Sequence, residues 1–143
     1  MITRTASARY QGMGKDGQGW VSTQSGVLKD QKYSFNTRFE DGPGTNPEEL
    51  IAAAHASCFT MALSFALAKE GITDGTLQTE ARVKLDKDGD GFKVSRSDLT
   101  LSADVVLDDA RLRELAEDAK KNCPISKLLN AEMNLEIKAR QPA

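Results

Sequence analysis

Between Ile51 and Ala68 the chain carries no formal charge, and apolar or small residues occupy nearly the whole circumference of a helical wheel drawn on it. The flanks define a helix. Asn46-Pro47-Glu48-Glu49 offers a capping side chain, a proline whose missing N–H costs nothing at the first helical position, and a glutamate able to reach back to the cap. Lys69-Glu70-Gly71 ends it with a glycine free to adopt the left-handed conformation. A helix apolar on almost every side must be covered on several of them. His55, Ser57, Thr60, Ser64 and the abundance of alanine make it weakly apolar for lipid, so it reads as a long buried central helix and not as a membrane span.

The residues around it supply short strands. Ser7–Tyr10, Gly19–Thr23 and Gly26–Leu28 read as strands or turns, separated by glycine-rich punctuation at Gly12, Gly14 and Gly17. Beyond the helix, Leu77, Thr79, Ala81, Val83 and Leu85 alternate with polar residues, and Phe92 and Val94 continue the alternation. Leu99, Leu101, Ala103 and Val105 alternate on the opposite parity, which predicts a bulge or bend near Ser95–Asp98. Asp108-Asp109 opens a second helix to about Asn122, Pro124 starts a short turn over Ile125–Leu129, and Met133, Leu135 and Ile137 form a last strand. This order is α+β, and 143 residues with 39% hydrophobic content fit a single domain over 1–143 that needs no disulfide staples. About six strands cannot cover so apolar a helix, so a homodimer is expected.

Net charge is −2, from 21 acids and 19 bases spread along the chain, and no basic stripe exists for nucleic acid or anionic lipid. The N-terminal residues lack the apolar core of a signal peptide, which points to the cytoplasm, where free thiols persist. Some motifs are misleading. Asp86-Lys-Asp88-Gly-Asp90-Gly91 matches half of a calcium loop, but Ser97 stands where a bidentate glutamate belongs and strands flank it, so a hairpin turn is expected. Cys58, Cys123 and His55 lack the second histidine or close cysteine pair of a zinc site, and the Gly12–Gly17 cluster opens no helix and is no phosphate loop. No metal or cofactor is called for.

The chain has two cysteines, Cys58 in the apolar helix and Cys123 before Pro124. On a helix face Cys58 could be a small core hydrophobe, and burial would raise its pKa. It lies too far from the helix N-terminus for the dipole to act, so a reactive Cys58 requires an arginine. Cys123, at or near the cap of a helical turn, has orphan N–H groups beside it; local electrostatics alone make it the more acidic sulfur and a rival nucleophile.

Several fragments taken together, Asn36-Thr-Arg38-Phe39-Glu40, Thr45-Asn-Pro-Glu48-Glu-Leu50, His55-Ala-Ser-Cys58-Phe59 and Asn122-Cys123-Pro124, resemble the OsmC/Ohr family of thiol-dependent hydroperoxide reductases, nearest its OsmC branch. Val21-Ser-Thr, Ser25-Gly-Val27 and the Leu128–Ile137 tail extend the likeness over nearly the whole chain. The resemblance implies an OsmC-like fold of antiparallel sheets with a long buried central helix, in an intertwined homodimer with active sites at the subunit interface. It implies reduction of organic hydroperoxides, and less readily of hydrogen peroxide, by Cys58 as peroxidatic thiol. Cys123 would resolve the sulfenic acid as a disulfide, Arg38 would stabilise the thiolate, Glu48 would be its carboxylate partner, and a dithiol of lipoyl type would reset the enzyme without metal, flavin or haem.

Geometry bears on Glu48. Glu49 lies about 180° round the helix from Cys58 and suits the capping box, whereas Glu48 is about 80° away. Ten residues also mean about 15 Å of rise, so the carboxylate near each Cys58 is expected from the partner chain's helix. His55, one turn before Cys58, invites a general-base reading, but no orienting residue is evident, and a packing histidine bonded to backbone or water is the expectation. Phe39, Phe59, Met61 and Phe65 suit either a pocket for a peroxide's apolar tail or the core. The competing function is a stress-response binding protein that holds an apolar ligand in the same interface pocket with its cysteines idle.

Overall fold

The computed structural model describes residues 1–140, with side chains as far as Lys138. They group into two compact units, Met1–Leu50 and Ile51 onward. In the first, β1 (Ala6–Gln11), β2 (Gln18–Thr23) and β3 (Gln31–Tyr33) form an antiparallel sheet in that order. The glycine-rich stretch is a turn containing a short 3-10 segment, Gly14–Asp16. Gly26–Leu28 is not a strand. The loop closes on Thr23, whose N–H donates to the Leu28 carbonyl (2.9 Å) and whose hydroxyl accepts from the Leu28 N–H (3.1 Å), with Gly26 at φ +80°. A short helix that the hydrophobic pattern does not reveal, α1 (Phe35–Phe39), is held by a capping box between Ser34 and Thr37.

The long helix α2 spans Pro47–Lys69. Asn46 caps it by accepting from the Glu49 N–H (2.8 Å), while the Glu49 carboxylate takes the Thr45 hydroxyl instead of returning to the cap backbone. At the other end Gly71 (φ +85°) donates to the Ala68 carbonyl and Ile72 to that of Leu67, the paired bonds of a Schellman stop.

In the second unit β4 (Thr76–Asp88) and β5 (Gly91–Asp104) form a long antiparallel hairpin around a Gly89 turn, which is the fate of the calcium-like motif. Lys84 pairs with Arg96 and Leu85 with Val94, so Ser95 is the extra residue of a bulge, within the region where the alternation changes parity. Helices α3 (Asp109–Asn122, capped by Asp108) and α4 (Pro124–Leu128) then lead to β6 (Glu132–Arg140). β6 pairs with β5 in parallel. The expected all-antiparallel sheets are thus corrected: the α3–α4 crossover carries the chain back along the sheet, so β6 can run in the direction of β5.

The core joins Phe59 and Leu63 of α2 to Leu99, Leu101 and Ala103 of β5, Leu112 and Ala116 of α3, and Leu135 of β6. α2 is less buried than its composition predicts. Only His55, Phe59, Leu63 and Leu67, one residue per turn, are fully covered; Met61 and Phe65 are exposed. By length and composition α2 could cross a membrane, yet that buried line faces a sheet of its own chain. Phe59 belongs to this core, fully buried.

Removing the Phe59 ring leaves a cavity that fixed neighbours cannot fill, so Phe59→Ala is expected to lower stability by about 3–5 kcal/mol. Urea unfolding at constant protein concentration checks this; a loss below about 1 kcal/mol would contradict the packing.

Candidate active site

Cys58 projects from α2, half-buried, one turn after His55. Cys123 is fully buried where α3 gives way to α4: its N–H closes α3 on the Ala119 carbonyl (2.9 Å), and its extended backbone and Pro124 at the next position open α4. As cap of α4 its sulfur accepts from the Ser126 N–H (3.4 Å). The expected cap position for Cys123 is therefore found. The fold brings the two thiols together: Cys58 packs against the core cluster that contains Cys123, close enough for Cys123 and the Ile125 backbone to act on its ionisation. Burial pushes the Cys58 pKa up; the Ile125 N–H opposes that rise, while the neighbouring Cys123 adds to it.

Beside the sulfurs lies a buried polar chain. His55 has no exposed surface, and its ring nitrogens meet two hydroxyls, Nδ1 to Ser97 Oγ (2.5 Å) and Nε2 to Ser126 Oγ (2.8 Å). Ser126 Oγ in turn lies 3.1 Å from Cys123 Sγ. The partners of His55 are thus serine side chains, not the backbone or water anticipated. Neither serine is expected from the sequence as a partner of His55. Ser97 carried a signal, because it shares the parity of Leu99, Leu101 and Ala103 and so stands at a core position where a hydroxyl needs a partner. Ser126, third in the turn opened by Pro124, looked like an ordinary helix residue.

Arg38 and Glu48 also meet. Arg38 Nε and Nη2 each donate to a Glu48 carboxylate oxygen at 3.1 Å, a two-pronged bridge, and the guanidinium lies 5.5 Å from the Phe39 ring centre. Arg38 is exposed and Glu48 half-buried in the first turn of α2. The neighbouring Glu49 is engaged by Thr45 instead. The four expected residues therefore assemble as two pairs: Arg38 with Glu48 in the first compact unit, and Cys58 with Cys123 in the second.

An apolar helix carrying one thiol, laid on a three-stranded sheet beside a second thiol at a helix junction, defines a class of thiol-bearing α+β proteins. The chain belongs to the OsmC-like protein family, whose profile matches residues 40–138. It is 44% identical to peroxiredoxin OsmC of Escherichia coli over 142 residues, 97% of this chain and 98% of that one. It is 32% identical to the organic hydroperoxide resistance protein OhrB of Bacillus subtilis over 84% of this chain and 89% of the relative. The crystal structure of that OhrB matches with a TM-score of 0.76, covering 96% of this chain and 98% of the other.

Burial holds the His55 pKa below its ordinary value. Below about pH 6.5 the unfolded imidazole gains a proton that the folded one resists, so stability is fully present above that pH and declines as pH falls. A His55→Gln variant is expected to lose part of this acid sensitivity. Urea midpoints between pH 7.5 and 5 measure it, and identical pH slopes in both proteins would contradict the assignment.

Proposed function

We propose that the protein is a two-cysteine peroxidase that reduces organic hydroperoxides, and hydrogen peroxide less efficiently, to alcohols or water. The observation that carries this reading is the closeness of Cys58 and Cys123, brought together from α2 and the cap of α4. The names of the relatives, a peroxiredoxin and an organic hydroperoxide resistance protein, support it. Cys58 thiolate attacks the O–O bond, the alcohol leaves, and a sulfenic acid remains. Cys123 then displaces the sulfenic hydroxyl as water and forms a disulfide before a second peroxide can over-oxidise Cys58. An external dithiol, of lipoyl type in this proposal, restores both thiols by exchange.

Within this chain Cys58 is pushed towards its neutral form, which is the wrong direction for a nucleophile. A nearby guanidinium reverses that, since an opposite charge within a few ångströms lowers a pKa by about 1–3 units. Arg38 is the proposed source. It is gripped by Glu48, and Glu48 is about 15 Å of helix from Cys58 of the same chain, so the Arg38–Glu48 pair is assigned to the Cys58 of a second copy. The proposed homodimer meets along the uncovered side of α2. There Ala53, Ala56, Ser57 and Ser64 allow close approach, and Met61 and Phe65 offer exposed apolar area. Phe39, Met61 and Phe65, exposed in the single chain, are the proposed contacts for the peroxide's tail.

Consumption of cumene hydroperoxide with dihydrolipoamide tests the reaction. Cys58→Ser is expected to abolish turnover; full activity in that variant would remove Cys58 from the chemistry, and a wild type without turnover would leave a ligand-holding protein with idle thiols as the surviving account. Subunit mixing tests the assembly. Cys58→Ser and Arg38→Met dimers, each inactive, should after random exchange recover about a quarter of wild-type activity, because half the dimers then hold one complete site. No recovery would place Arg38 and Cys58 in one chain's site or remove Arg38 from the chemistry.

A further inference from the structure

The reaction as written leaves one feature of the fold unused. α2 spends a fully buried position on an imidazole, with Phe59 in hydrocarbon packing one turn further on, and aims both ring nitrogens at hydroxyls. One of those hydroxyls touches the sulfur that has to lose a proton. Cys123 is buried, so near pH 7, where hydroxide is scarce, a neighbouring base takes its proton more readily than solvent does.

Resting on the two-thiol peroxidase reading, we propose that Ser126 and His55 form a proton relay for disulfide closure, Ser126 acting on Cys123 directly and His55 as the positioning residue behind it. Before closure, the Cys123 S–H donates to Ser126 Oγ, the Ser126 O–H donates to His55 Nε2, and Nδ1–H donates to Ser97 Oγ. After transfer the same contacts run in reverse. Nε2–H donates to Ser126 Oγ, whose O–H now donates to the thiolate, which also keeps the Ser126 backbone N–H. No heavy atom has to move, because a hydroxyl donates and accepts with equal ease.

The Cys123 sulfur then uses its freed electron pair to bond to the Cys58 sulfur while the S–O bond of the sulfenic acid breaks. Cys58 sulfur is reduced and Cys123 sulfur oxidised. The departing hydroxide takes back the proton held on His55 through Ser126 and leaves as water. Thiol and sulfenic acid thus give disulfide and water, with no further oxidant or reductant.

The surroundings suit a transient imidazolium. Burial keeps the ring neutral at neutral pH, so Nε2 has a lone pair to offer, and it returns the proton readily once hydroxide appears. The titratable groups along the chain of contacts are the two thiols and the imidazole. Of the charged residues flanking the two serines, Arg96 is paired with Asp98 and Glu132, and Lys127 is exposed. Those neighbours of Ser97 alternate to the other face of the strand. Ser126 also lines a cavity with Arg111, Glu114, Glu117, Asp118, Lys120 and Lys121; there Arg111 pairs with Glu114, Lys120 with Glu117, and Asp118 takes the Asn122 amide.

The test is a single turnover with one equivalent of tert-butyl hydroperoxide, quenched in acid and scored by mass spectrometry for sulfenic acid (as its dimedone adduct) and disulfide. In Ser126→Ala and in His55→Gln, disulfide closure near pH 7 should slow by about tenfold or more relative to Cys58 oxidation, with the adduct accumulating. Ser126→Thr, which keeps the hydroxyl, should close within about threefold of wild type. At about pH 10, where solvent hydroxide ionises an ordinary thiol, the Ser126→Ala deficit should shrink to about threefold.

Closure within about twofold of wild type in both variants overturns the relay, and so does a Ser126→Ala deficit of the same size at both pH values, which marks a packing role. Should the substitutions unfold the protein, wild-type closure in heavy water decides: slowing by about twofold or more supports proton transfer in this step, and none overturns it. A wild type that forms no sulfenic acid removes the peroxidase reading and the relay with it, whereas normal wild-type closure beside undisturbed variants removes the relay alone.

Discussion

The chemistry of this protein depends on how α2 is seated. A single line of side chains, one per helical turn, fixes the helix to the β4–β5–β6 sheet, and the first member of that line is His55. Phe59, Leu63 and Leu67 supply apolar area, each worth about 1.5–3 kcal/mol when fully buried. They set depth and direction; rotation is set by polar contacts, which tolerate far less error. His55 must reach Ser97 on β5, and Thr60 must reach Thr79 on β4 at 2.7 Å. With those bonds made, Cys58 can point only towards the junction of α3 and α4, where Cys123 waits. A helix held by hydrocarbon alone could roll by part of a turn at small cost, and the two sulfurs would part.

Cys123 is fixed from the other side by an economy of backbone. One residue ends α3 through its N–H and begins α4 through its sulfur, with Pro124 preventing α3 from continuing. The sulfur is thereby anchored by α4's own N-terminal amide, and Ser126, at the position that donates this bond, also presents its hydroxyl to the sulfur. The same residue then links back to α2 through His55. The thiol pair is therefore surrounded by groups each holding at least two others, which makes its geometry a property of the fold and not of one side chain.

Much of this was legible in the sequence, for identifiable reasons. The boundaries of α2 followed from Asn46, Pro47 and Gly71, each of which does at its position what its backbone chemistry requires. The bulge at Ser95 followed from the change of parity between Val94 and Leu99. Other features escaped, among them the strand at Gln31–Tyr33 and the serine partners of His55. Helix α1 is too short to show a periodicity, and only the Ser34–Thr37 capping pair announces it. The parallel placement of β6 depends on a crossover that no local pattern encodes. The burial of α2 was overstated because composition reports how much surface wants cover, not which chain provides it.

That last error bears on the site. A helix without charge from Ile51 to Ala68 and with only one side buried among the described residues, and a thiol whose surroundings favour the neutral form, are two deficits of the same kind. In the proposed homodimer each would be met by the other molecule. Arg38, exposed yet already oriented by two bonds to Glu48, is the complementary surplus: a cation held in shape with no anionic sulfur beside it in its own compact unit. A second copy related by a two-fold axis would meet both needs at once, because the surface lacking cover and the surface carrying the prepared guanidinium recur on each chain. Activation of Cys58 would then be conditional on assembly, and an isolated subunit would keep its thiol largely protonated and slow to react with the peroxide.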